Sequence, residues 1–234
     1  MRPRLLTLAA GCACAAALAA CGSSNSTAST SSAAAASSSS TSSPAAGTGT
    51  SSAVTTSSGP QIGFEAVPLE QGPPLAPAST TGTTPVDGIS CAPVEQLAYH
   101  IHAHLAVFKA GQLYQLPAGV GIPGSQPEQT QYGPVAAGGK CYYWLHTHTT
   151  DGVIHIESPT KTIYTLGDFF DEWHQPLTAT HVAGLTGAIS AFVNGKPWTK
   201  SPRAIPLLPH EDIQLEIGQP APPIIRIDWS KTQL

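Results

Sequence analysis

The sequence predicts a mainly β fold, a sandwich or small barrel with one short helix, standing behind a disordered N-terminal tether. Three observations predict it. Apolar and polar residues alternate with period two through Tyr99–Phe108, as on a strand with one buried face. The turn signals Asp151-Gly152 and Asn194-Gly195 each lead into a short apolar run. Only the stretch from Thr165 to Trp173 carries helix signals.

Residues 1–21 read as an export address. Arg2 and Arg4 make a basic start, and Leu5 to Leu18 is an Ala/Leu-rich run too short to span a membrane. The run ends in Leu18-Ala19-Ala20-Cys21, which resembles the lipobox of bacterial lipoproteins. That resemblance implies lipidation of Cys21, anchoring at the cell membrane and an extracytoplasmic location. An ordinary secretory signal with a chance cysteine is the other reading.

Residues 22–60 are almost wholly Ser, Thr, Ala and Gly, and no charge follows Cys21 until Glu65. Such a segment buries too little apolar surface to offset its ordering entropy. As a flexible coil of about 40 residues it spans roughly 35 Å root-mean-square, enough to lift a domain off a surface. Residues 61–88, rich in Pro and Gly, read as a stiffer lead-in. The remainder, 89–234, has the length of one domain.

Within that domain Tyr99–Phe108 is the first strand, and Lys109-Ala110-Gly111-Gln112 turns it into Leu113–Leu116. Residues 117–139 form a Gly/Pro loop. Cys141–His148 is an aromatic strand, and the turn Thr149-Thr150-Asp151-Gly152 returns the chain into Val153–Glu157. Thr165 with Asp168 forms a capping box, Phe169, Phe170 and Trp173 supply an apolar face, and Pro176 ends the helix. Asp171 and Glu172 then read as a solvated helix face. Three more strand signals follow: Ala188–Val193 turning through Asn194-Gly195 into Lys196–Trp198, then Ile213–Ile217, then Ile224–Trp229.

The chemistry lies in the histidines. Six of the nine sit in three alternating segments: His100, His102 and His104; His146 and His148; and His155 with Glu157. On strands each set shares one face. Ile101, Ala103, Leu105, Val107, Ile154 and Ile156 would then point into a core, and the imidazoles away from it. Neutral imidazoles grouped in this way suit zinc or copper(II). Glu157 and Asp151 are candidates to complete the shell, to orient a ring, or to serve as acid or base. The chain has no methionine after Met1, which speaks against blue-copper and copper(I) sites. Packed imidazoles without metal are the alternative, and they would weaken the fold as pH falls through about 6. His174, His181 and His210 lie apart from the three segments.

Cys91 and Cys141 precede the two main histidine segments, and in an oxidising compartment such a pair reads as a disulfide. Two free thiols as metal ligands are the rival reading. Without Arg2 and Arg4, eight of the ten Lys and Arg remain against 14 Asp and Glu, a net charge near −6. That balance gives no footing for nucleic acid. The membrane enters only through the lipid anchor, and no protein partner is indicated.

The strings His100–Leu105, Tyr143–His148, Gly152–Pro159 and Thr165–Leu177 resemble a pattern found in exported bacterial proteins and lipoproteins to which no activity is attached. It implies export and no catalytic residue. His146-x-His148 also resembles the first cupin motif, but the residue at that motif's glutamate spacing is Asp151, Glu157 lies nine residues on, and a second motif is missing. Copper–zinc superoxide dismutases are similar as exported β-sandwiches with a His-x-His strand and a disulfide; this chain lacks their glycine-flanked motif. Metallo-β-lactamases place Asp where this chain has His104. The expectation is a metal-binding module that buffers or sequesters zinc or copper(II). A metal-dependent enzyme (cupin-like, hydrolase or oxidoreductase) and a structural envelope protein without metal are the alternatives.

Overall fold

A computed structural model describes residues 59–78 and 82–234; the signal, Cys21 and nearly all of the tether lie outside them. Among the described residues the chain is mainly β with one α-helix. Its centre is one seven-stranded sheet: β1 (Tyr99–Lys109), β2 (Gln112–Tyr114), β3 (Leu145–His146), β4 (Val153–Ser158), β5 (Ile189–Val193), β6 (Lys196–Trp198) and β7 (Glu211–Ile217). The order is β6-β5-β7-β1-β4-β3, with β2 also on β1. Every pair is antiparallel except β7 with β1. The two ends do not meet, so of the sandwich or small barrel expected, no closed barrel is formed among the described residues. Three two-stranded ribbons lie apart from this sheet, one of them joining Cys91–Ala92 to Tyr142–Tyr143.

The turns work as the sequence predicts. Asn194 and Gly195 both take positive φ, 52° and 74°, the backbone that a two-residue hairpin needs. Gly152 sits at φ 78°, and a Cβ there would lie 2.7 Å from His104 Nε2 and 2.8 Å from the Leu105 carbonyl oxygen. No other residue fits that turn.

The register divides the sheet into two faces. One carries Ala103, Leu105, Val107, Leu145, Ile154, Ile156, Ile213, Leu215 and Ile217, all buried. Against it packs α1 (Leu166–Glu172), through Leu166, Phe169 and Phe170, with Trp173 just beyond its end. The capping box is present: Thr165 Oγ1 accepts from Asp168 N–H, and the Asp168 carboxylate accepts from Thr165 N–H. Glu172 is buried on this face with both oxygens unpartnered, so it is not the solvated residue its position suggested. Asp171 is half-buried and paired with Arg203.

The other face carries the histidines, and here the structure corrects the sequence. His102, His104, His146 and His155 are buried, not turned to solvent. Two segments cover them. Residues 61–70 lie over this face with Val67 and Leu69 buried, and Glu70 N–H bonds to the Thr150 carbonyl; Leu75, farther on, packs in the core on the helix side. The second cover is the C-terminal tail. Ile224–Trp229, expected as a strand, adds to no sheet edge. It lies over β7 instead, where side chains replace a ladder: Gln214 accepts from Ile225 N–H, and Asp212 accepts from Ile227 N–H, Arg226 Nε and Trp229 Nε1.

Candidate metal centre

Three strands place the key imidazoles in one row. His102 on β1 is directly opposite His155 on β4, and His155 is directly opposite His146 on β3. His100 is opposite Glu157. The expected antiparallel pairing of the second and third histidine segments is therefore present, and the first segment joins it from the far side of β4. The Cys91–Cys141 disulfide, Cα–Cα 5.4 Å, ties the chain before β1 to the chain before β3.

His146 and His148 carry the sharpest chemistry. His146 Nδ1 lies 2.9 Å from the Tyr143 carbonyl oxygen, and His148 Nδ1 lies 2.9 Å from the Ala136 carbonyl oxygen. A carbonyl only accepts, so in both rings Nδ1 must carry the proton. In the neutral rings both Nε2 atoms are then bare lone pairs, and they face each other at 3.2 Å. Two lone pairs at that distance repel unless a cation lies between them. Two imidazole nitrogens on a tetrahedral zinc ion stand roughly 3.3 Å apart, from bonds of about 2.0–2.1 Å. A proton is the weaker candidate. Burial, then the neighbouring His155 and His148 charges, hold His146 well below the usual imidazole range; burial and His155 do the same for His148.

His146, His148, His155 and Glu157 each bring one ligand atom to a common locus, all within 4.8 Å of one another. Glu157 Oε2 is 3.8 Å from His146 Nε2 and has no hydrogen-bond partner despite its burial. The backbone contacts to the two Nδ1 atoms are the orienting bonds that metal-bound histidines ordinarily make. A second set, His100, His102 and His155, converges within the same limit. His102 Nε2 is buried without a partner.

His155 is at the join of the two sets. Burial opposes its charge, but Glu157 (Nδ1 to Oε1, 3.4 Å) and Glu65 (Nε2 to Oε1, 3.0 Å) outweigh that and raise it to about 9. In the metal-free protein at neutral pH it is imidazolium, and a metal must displace its proton. His102 is driven the other way, to about 2, by burial and by the His155 charge beside it.

Two expected residues are not brought to the locus. His104 shares the face but belongs to neither set; its Nε2 is 3.8 Å from Glu70 Oε1 on the covering segment, and burial lowers it to about 4. Asp151 uses Oδ1 to accept from Val153 N–H and holds its own turn, so it is no shell carboxylate. His104 lies opposite Val153, two pairs along from His102 and His155, and Asp151 lies in the turn before β4, so both stand at the far end of the face from the locus. His174, His181 and His210 belong to neither set, and His210 stacks on Trp229 at 4.8 Å. The two cysteines are consumed by the disulfide.

Sequence reasoning missed Glu65 and Glu95. Glu65 faces His155, and Glu95 Oε1 lies 3.4 Å from His148 Nε2. The available signal was that Glu65 is the first charge after a long neutral tether. A cleft of about 440 Å³ opens over the centre. His100, His102, His148, His155 and Glu157 line its floor, with Phe64, Val135, Ala137 and Leu234 on its apolar walls. Among the described residues no helix is long and apolar enough to cross a membrane. No family model matches the chain, and searches of the curated proteins and of the solved structures returned no match.

Proposed function

We propose that this chain is an extracytoplasmic lipoprotein, held to the membrane through Cys21, that binds zinc or copper(II) at His146, His148, His155 and Glu157 and sequesters or buffers it. One observation carries the metal: the bare Nε2 atoms of His146 and His148 facing at 3.2 Å, with both Nδ1 protons committed to backbone carbonyls. Three imidazoles and a carboxylate are borderline-hard donors, which suit zinc and copper(II) and not copper(I). The lipobox, the polar tether and the disulfide support the location.

The cleft favours a second reading, a metal-dependent enzyme. His148, His155 and Glu157 reach it while His146 is closed off behind them, so an ion here would keep one side toward a substrate-sized space. The buried Glu65 and the half-exposed Glu95, which both line the cleft, are the acid–base candidates under that reading.

Competition against a chromogenic chelator tests the binding. The full chain, purified without a histidine tag, holds zinc or copper(II) tightly, and His146→Gln/His148→Gln lowers its affinity by more than about 100-fold. Equal affinity in the variant refutes the assignment. An exogenous anion that shifts the copper(II) absorption spectrum supports the open position that an enzyme needs.

A further inference from the structure

The face that holds this ion has room for a second, and we propose that the site is dinuclear, with Glu157 bridging the two positions. The inference rests on the metal reading above and goes beyond it. His100, His102 and His155 converge within 4.8 Å, as the first set does, and the two sets share one face of the sheet because β4 lies between β1 and β3. His155 is common to both sets and its one lone pair serves the first ion, so the second takes His100, His102 and Glu157. Glu157 reaches both sides. Its Oε1 is 3.1 Å from His100 Nε2, and its Oε2 is 3.8 Å from His146 Nε2. A carboxylate that turns one oxygen to each histidine set is arranged as a bridging ligand, which holds two ions about 3.5–4 Å apart.

The second position has its own unfilled donor. His102 is 6% exposed, and its Nε2 has no partner in the protein. Its ring stands edge-on to those of His100 and His155, with centroids 4.5 and 4.6 Å away. A buried nitrogen with no donor or acceptor opposite it is what a missing ligand bond leaves behind. The two positions differ in depth. His146 is fully closed off, whereas the His100 side chain is 38% exposed at the cleft. The inner position therefore fills first and releases slowly, and the outer one exchanges with solvent.

The test is copper(II) loading of the full chain, stripped with chelator and desalted, followed by metal analysis and electron paramagnetic resonance. Two ions per chain are expected, with lowered signal intensity and a half-field transition from the coupled pair. His100→Gln and His100→Gln/His102→Gln are expected to keep one ion with an uncoupled spectrum of full intensity. The single variant alters a half-exposed side chain, and near-ultraviolet circular dichroism verifies its fold. One uncoupled ion per wild-type chain overturns the second position and leaves the first standing. Two uncoupled ions overturn the bridge, and no ion in any form overturns both readings.

Discussion

Asp151→Asn should stabilise the metal-free domain in mild alkali and do nothing comparable in acid. Asp151 is 1% exposed. Burial first, and then the nearby Glu65 charge, raise its carboxyl from 3.8 to about 7, against the bond from Val153 N–H and the attraction of His155. A carboxyl whose folded value lies above its unfolded one binds more protons in the native state. Its favourable contribution is complete below the unfolded value and is lost as pH rises through the folded value. The difference between 3.8 and about 7 corresponds to about 4 kcal/mol at 1.36 kcal/mol per unit. Asparagine keeps the oxygen that accepts from Val153 N–H and cannot ionise. Its own cost of burying an amide is the same at every pH, so it cancels in the comparison. Urea unfolding of chelator-treated wild type and variant at about pH 4 and about pH 8 gives two stability differences. They should differ by about 4 kcal/mol, the variant gaining toward pH 8. Equal differences at the two pH values refute a buried, proton-holding Asp151. The same variant should bind zinc with unchanged affinity, because Asp151 lies outside both ligand sets.

Cys91→Ser/Cys141→Ser opens a link between residues 50 apart and should cost about 4 kcal/mol in the chain-entropy account, read by denaturant unfolding under oxidising conditions. Asp212→Ala strips the acceptor from Ile227 N–H, Arg226 Nε and Trp229 Nε1; it should cost about 2 kcal/mol and speed amide exchange across 223–229. Unchanged exchange there would refute side-chain docking of the tail. Gly152→Ala forces a side chain into a left-handed turn and against His104 and the Leu105 carbonyl; thermal melting should show a loss of more than about 2 kcal/mol.

What was legible in the sequence was whatever obeys a short period. Alternation in Tyr99–Phe108 located β1, Asn194-Gly195 located the β5–β6 hairpin, and Thr165 with Asp168 located the helix start. The histidine face followed from parity alone, since a strand cannot place His100, His102 and His104 on different sides. The parts that failed depend on contacts distant in sequence. Ile224–Trp229 has a strand's composition, but composition does not say whether an extended segment meets a sheet edge or a sheet face. Here the buried Asp212 and Gln214 present acceptors on the face, and the tail bonds to those. Glu172 reads as solvated because the helix pattern marks an apolar stripe and not the full extent of its contact with β3 and its neighbouring loops.

The covered histidine face calls for a reason beyond stability. Burying polar groups without partners costs free energy, and apolar replacements of similar volume are often as stable or more so. Yet this face keeps His102 Nε2, Glu157 Oε2 and Glu65 Oε2 buried without hydrogen-bond partners within a few residues of one another in space. The covering segment makes the electrostatics more particular. Residues 61–70 could have sealed the face with apolar side chains alone, as Val67 and Leu69 do nearby. They bring Glu65 against His155 and Glu70 toward His104, so the cover adds acid to a face already rich in base. Burying carboxyl groups against imidazoles, with Glu65 on the His155 imidazolium, is a costly way to close a core. It is a sound way to hold a divalent cation, whose charge offsets the carboxylates and whose bonds use the nitrogens.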